Sequence, residues 1–363
     1  MIQYLPLTVK RSIELLGLVL LALVIFQLQN IIMPMLMALV ASIALLPVYR
    51  FFIRRKVPNG IAIFLTILFM TIILALVVFF ITSQLKPLIN NATTIKQNIS
   101  SHINVISIWF SNKTAIPIAR QSEIISQQAD KFLDFTGNFL KNAAGSISTA
   151  FIFFGLFPIY TFLMLFYKDV LKRFLLMWFR QDETIQVGQT LKSIESIIQS
   201  YMVGLMIQFG YMTILLGSTL MLFGINYAFL IAIIFAVLNL VPYIGALIGN
   251  ILGVLLTLSA TPDLGPVFTV LITISVVQLL DNNILMPFIV GSKIRINALA
   301  SLSGVFIGGA LAGITGMFLS LPLMAVFKII FDHTEQFKKW GVLLGDDKPI
   351  TNKWIRMKKG DNK

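Results

Sequence analysis

Apolar runs of bilayer length recur along this chain, and they restrict it to helices. Crossing a ~30 Å hydrocarbon core as a helix takes about 20 apolar residues. Ile13 to Gln29, Ile31 to Tyr49, Ile61 to Thr82, Ser148 to Tyr167, Ile197 to Phe223 and Val267 to Ile289 meet or approach that length. In hydrocarbon each backbone N–H and C=O must be paired inside the protein, and a helix does this within one segment. Composition agrees: 57% of the 363 residues are hydrophobic and 12% charged, against roughly 25% charged in an average globular protein. The expected fold class is all-α, a polytopic integral membrane protein of six to eight spans.

The basic residues then set the topology. Lys10 and Arg11, the Arg50–Lys56 cluster, the Lys168–Lys192 stretch and the tail from Lys338 to Lys363 fall on one side if the N-terminus is cytoplasmic. The net charge of +13 therefore reads as topology, and nucleic acid is not expected as a partner. The N-terminal run lacks a small-residue cleavage site and a second run follows at once, so it reads as a retained span rather than a signal peptide.

Five regions follow: 1–85 with three spans; 86–145, a small helical extracytoplasmic insertion; 146–196, a fourth span and a cytoplasmic amphipathic helix; 197–332, a transport region with broken helices; and 333–363, a basic cytoplasmic tail. In the insertion, Ile95, Ile99, Ile103 and Ile106, then Ile125, Ala129, Phe132 and Phe139, recur at helical spacing around Pro117. A helical cap is the plain reading, and a ligand-capturing module the other.

Two apolar stretches are too long for one span and are interrupted. Tyr227 to Ala260 breaks at Pro242-Tyr243-Ile244-Gly245. Each half, at about 15 residues, reaches only ~22 Å. Ala298 to Phe331 breaks at Gly308, Gly309, Gly313 and Gly316. Two re-entrant hairpins facing opposite ways would make an inverted repeat, a plan of secondary transporters. Counting each as two spans leaves the termini on the same side, so both counts satisfy the charges; hairpins are the expectation.

Asp281 is the candidate functional carboxylate. It lies inside an apolar run, where a carboxylate costs at least ~2.5–3.5 kcal/mol. Gln278 precedes it by three residues, and Asn282, Asn283, Pro287 and Gly291 follow. This set could bind a cation or carry a proton; a helix-capping carboxylate is the structural alternative. At the first break, Pro242 frees backbone carbonyls, and with Asn239, Tyr243 and Gly245 they could hold a polar solute or ion. A ligand-free kink explains the same residues. Gly245, Gly249 and Gly253, like Gly304 and Gly308 or Gly309 and Gly313, are spaced by four, which suits close and movable helix packing. Asp263 reads as an exposed turn residue and Glu14 as interfacial. With no cysteine, no metal-ligand motif, no Walker loop and histidines only at 102 and 333, neither enzyme chemistry nor a metal or other cofactor is expected.

Across nearly its whole length the chain resembles the AI-2E family of transporters, also called the PerM family. The resemblance is carried by Val241-Pro-Tyr-Ile-Gly-Ala-Leu-Ile-Gly249, by Asp281-Asn-Asn-Ile-Leu-Met-Pro287 with Gly291, and by Gly313-Ile-Thr-Gly-Met-Phe-Leu-Ser-Leu-Pro322. Many members have a His-Pro pair shortly after the Gly291 position, where this chain has Asn297-Ala298. The resemblance implies a bacterial inner-membrane protein and a homo-oligomer; the missing Walker loop implies no ATPase of that kind. Some relatives are associated with export of the quorum signal autoinducer-2, others with sodium or proton antiport. The expected function is export of a small polar solute by alternating access. The alternatives are Na⁺/H⁺ exchange at Asp281 and a membrane scaffold that binds a partner through its external region.

Overall fold

The computed structural model describes residues 6–90, 97–98, 101–102, 155–285, 296–335 and 337–346. Among them the regular elements are helices, in chain order α1 (Leu7–Gln27), α2 (Gln29–Arg54), α3 (Asn59–Asn90), α4 (Phe157–Phe166), α5 (Lys168–Met177), α6 (Thr184–Leu222), α7 (Ala228–Leu238), α8 (Ile244–Ala260), α9 (Leu264–Leu280), α10 (Ala298–His333) and α11 (Lys338–Leu344). A π-helical turn, Asp281–Leu285, extends α9. Five helical segments in the described residues are long and apolar enough to cross a membrane, and the all-α, polytopic expectation holds. Most of the predicted insertion lies outside the described residues, as do Pro287 and Gly291 and the start of the fourth span.

Local chemistry sets the helix ends. The first two helices meet at Leu28 alone, whose N–H still donates to the Val24 carbonyl at 2.9 Å. The second stops where Lys56 turns left-handed at φ 62°, with Pro58 two residues on to prevent continuation. The sequence marks span five from Ile197, yet α6 is one helix of 39 residues from Thr184. Its polar first half continues the apolar part without a break, because neither glycine nor proline interrupts Thr190 to Tyr201.

The chain divides into two compact units: Met1–Ala44, Lys168–Tyr201 and Ser292–Lys363, and Leu45–Tyr167 with Met202–Gly291. In the second unit, α7 and α8 form an antiparallel hairpin, with α9 against α8 and α3 against α7. Its core joins Met212, Leu216 and Leu220 to Ile231, Phe235, Val270 and Ile274. Lipid tails are as apolar as leucine, so such a core holds by close packing more than by escape from water. The glycine spacing serves this contact. A Cβ on Gly249 would lie 2.6 Å from the Phe235 ring, and one on Gly245 only 1.7 Å from the Leu238 carbonyl oxygen.

In the first unit, α10 is two helices folded on each other. Ala312 and Gly313 leave helical geometry, with Gly313 at φ 58°. A Cβ on Gly304 would touch Met324 at 3.1 Å, although a straight helix would hold residues 304 and 324 about 30 Å apart. Gly308 and Gly316 cross backbone to backbone; a Cβ on either would meet the other's carbonyl oxygen at 2.4 or 2.0 Å. The interruptions expected in both apolar stretches are therefore sharp reversals, one per unit. Pro322 is buried within the returning arm.

Asn297 ties this second hairpin at its base. Its Oδ1 accepts from the Ala300 N–H at 2.8 Å, capping α10. Its Nδ2 donates to the carbonyls of Leu343 and Gly345, at 2.6 and 3.0 Å, at the end of α11. The position where this chain departs from the resembled pattern thus has a structural task.

Candidate functional site

Three buried stripes build the site, each carrying a polar residue where the packing pattern calls for an apolar one. On α9 the stripe runs Val267, Val270, Ile274, Val277 and then Asp281. On α6 it runs Tyr201, Leu205, Gln208, Met212, Leu216 and Leu220. On α7 it runs Ala228, Ile231, Phe235 and, at the C-cap, Asn239. Steps of three and four keep each set on one helix face. Core packing therefore delivers Gln208, Asn239 and Asp281 to the same interior, all within the second unit.

Asp281 is 1% exposed. One carboxylate oxygen accepts from Gln208 Nε2 at 2.8 Å and from Asn239 Nδ2 at 3.4 Å. The other accepts from the Tyr211 hydroxyl, which stands one turn beyond Gln208. Among the described residues no lysine, arginine or histidine bonds to this carboxylate. Hydrogen bonds to a charged group contribute about 1.5–3 kcal/mol each. Two of them already match the ~2.5–3.5 kcal/mol cost of inserting the charge, so neutral donors suffice to hold it. Gln208 Oε1 is buried with no hydrogen-bond partner, a spare acceptor on the same side chain. The π turn that starts at Asp281 is itself a rare form, found often at functional positions.

The other candidates separate. Asn239 joins the carboxylate. Gln278 does not: its Nε2 donates to Asn282 Oδ1 at 3.1 Å, since i, i+4 brings these two amides together. Asn283 is exposed and donates to the Leu279 carbonyl at 2.8 Å. Tyr243 is 52% exposed and has no hydrogen bond to Asp281. Its backbone turns the hairpin at φ 66°, ψ −55°, a region L-residues rarely adopt. Pro242 is half-buried in that turn, and Gly245 serves the close backbone crossing described above. A Cβ on Gly249 would meet the Phe235 ring, and one on Gly253 would meet Ile231 and Ile274. In the second hairpin Gly308, Gly309 and Gly316 pack and Gly313 turns the chain.

Gln208 and Tyr211 are the residues that sequence reasoning missed. The signal was available: Gln208 lies three residues after Leu205 and four before Met212, in a run otherwise apolar. Projecting the core stripe of α6 would have marked it.

A second polar contact lies in the same unit. Asn98 Nδ2 donates to the Ser259 carbonyl at 2.9 Å, and His102 Nε2 lies 2.7 Å from the Thr261 carbonyl oxygen. These residues of the predicted insertion thereby hold the end of α8.

Known proteins resemble this chain across most of its length. A family model described as "AI-2E family transporter" matches residues 15–336. YrrI of Bacillus subtilis (strain 168) is 31% identical over 143 residues, 39% of this chain and 40% of that protein. A Haemophilus influenzae protein, named for transport without a cargo, is 25% identical over 329 residues, 87% of this chain and 90% of its own. The AI-2 transport protein TqsA of Escherichia coli (strain K12) is 23% identical over 329 residues, again 87% and 90% of the two chains.

Proposed function

Because the chain belongs to the AI-2E family of transporters, we propose that it moves a small polar solute, similar in chemistry to autoinducer-2, out across the bacterial inner membrane. Both termini lie in the cytoplasm in this reading, and transport proceeds by alternating access. The observation that carries it is the buried Asp281 held by Gln208, Tyr211 and Asn239, with no lysine, arginine or histidine bonded to it among the described residues. Such a group can gain or lose a proton without breaking an ion pair, which suits coupling to a proton gradient. The asparagine, glutamine and tyrosine supply hydrogen bonds of the kind a polyhydroxylated solute makes. TqsA, named for AI-2 transport, supports the choice of cargo.

A second reading is Na⁺/H⁺ exchange at Asp281, favoured by one specific observation. Gln208 Oε1 is a buried oxygen without a donor, on the side chain that already touches the carboxylate. A hard cation takes oxygen ligands of this kind. Purified protein in vesicles separates the two. Solute flux that depends on a pH gradient and is lost in Asp281→Asn is the expected result. A sodium pulse that moves lumenal pH, absent in Asp281→Asn, with no solute flux in the parent protein, replaces the first reading by the second. Solute flux unchanged in Asp281→Asn removes the carboxylate from the mechanism.

A further inference from the structure

Helix α5 differs in kind from the apolar helices. It has 10 residues and none is buried. At about 15 Å it is too short to cross a bilayer. Its sequence, Lys-Asp-Val-Leu-Lys-Arg-Phe-Leu-Leu-Met, is sorted by side. At 100° per residue, Val170, Leu171, Phe174, Met177 and the following Trp178 fall on one face. Lys168, Lys172 and Arg173 with Asp169 fall on the other, which Leu176 interrupts. Phe174 is 55% and Trp178 76% exposed, and their rings meet edge to face at 5.9 Å. Two large aromatic rings side by side on an open helix face are unusual in water and common at a membrane surface.

Charge identifies what covers this face. Four basic residues and one acidic residue lie between Lys168 and Arg180. Lys168 is paired with Asp169 at 3.3 Å and Arg180 with Asp182 at 3.7 Å. Lys172 and Arg173 enter no ion pair among the described residues. Arg173 borders the apolar stripe and Lys172 lies across the helix from it; the long stems of Lys and Arg let both charges reach the headgroups while the helix lies lower. The helix also begins directly after the apolar run that ends at Tyr167, so the chain delivers it at bilayer level.

We propose that α5 lies on the bilayer, with Val170, Phe174 and Trp178 in the boundary between headgroups and acyl chains and Lys172 and Arg173 against the phosphates of anionic lipid. It is a lipid-binding surface of the transporter, separate from the Asp281 cluster.

The chain has no cysteine, so single substitutions Asp169→Cys, Val170→Cys, Lys172→Cys and Phe174→Cys give uniquely spin-labelled, full-length protein. In vesicles of phosphatidylglycerol and phosphatidylcholine, labels at 170 and 174 are expected to lose accessibility to a water-soluble nickel chelate and gain it to oxygen. Labels at 169 and 172 are expected to do the opposite. Adding Lys172→Glu with Arg173→Glu to Phe174→Cys should return the 174 label to water in these vesicles. Equal nickel accessibility at all four positions overturns the proposal. So does spin–spin broadening at 174 that unlabelled protein dilutes away, since a second copy would then cover the face. No response to the charge reversal overturns the assignment to anionic headgroups. Folding of each variant is checked by its elution in detergent and by its circular dichroism.

Discussion

The α7–α8 hairpin and the α10 hairpin solve one problem with different endings. In both, glycines let two helices cross with their backbones nearly touching. Gly245 does this over the Leu238 carbonyl, and Gly308 and Gly316 do it against each other. In the first, the turn begins at Asn239, whose amide reaches a buried carboxylate. In the second, the turn is Ala312-Gly313, and next to it Ile314 is 75% exposed. The polar ties of the second lie at its base, at Asn297. A helical hairpin can therefore carry its polar amide at the tip or at the root, and here the tip amide meets a buried carboxylate.

The largest effect on transport should come from the tips. Asn239→Leu removes a donor from a buried carboxylate and is expected to cut transport in vesicles about tenfold, roughly 1.4 kcal/mol of barrier. The matched change Ala312→Ser should leave flux within about twofold, ~0.4 kcal/mol on the same scale. Equal losses would erase the contrast. Next come the crossings. Gly245→Ala and Gly308→Ala place a methyl against a backbone oxygen that cannot retreat, and overpacking of this kind costs about 1–3 kcal/mol. Both should lower the thermal unfolding midpoint in detergent, and an unchanged midpoint in either would show a looser hairpin.

Smaller effects sharpen the picture. Asn297→Ala loses a cap, at about 0.5–2 kcal/mol, together with two bonds to α11. Hydrogen exchange should rise at 298–301 and 338–344 and stay unchanged at 228–260. Gly249→Ala should cost least, about 1 kcal/mol, because the Phe235 ring that meets the new methyl can rotate aside. A cost as large as that of Gly245→Ala would mean the ring is locked.

Much of the fold is legible in the sequence. The interruptions at Pro242 and at Gly308–Gly316 were visible because each half-run is too short to span. Asp281 was visible because a carboxylate stands out in an apolar run. Asn239 stands out by its place beside the break. Gln208 was harder to see, since a neutral amide barely lowers the hydropathy of a long helix. Gln278 drew attention as a neighbour by number, but its partner is set by which i, i+4 side chain the helix turns toward it. Asn297 marked a departure from the resembled pattern, and its sequence gave no sign that it reaches residues 46 positions away.

The chain by itself determined that it is helical and membrane-spanning, and where its helices fail. These follow from lengths and composition, because hydrocarbon leaves the backbone one local way to pair its polar groups. Tertiary structure alone decided that Gln208, Tyr211 and Asn239, 42 to 73 residues away in the chain, converge on Asp281. Convergence depends on which helix faces pack together, and between apolar helices that choice rests on close side-chain fit, which no local pattern records.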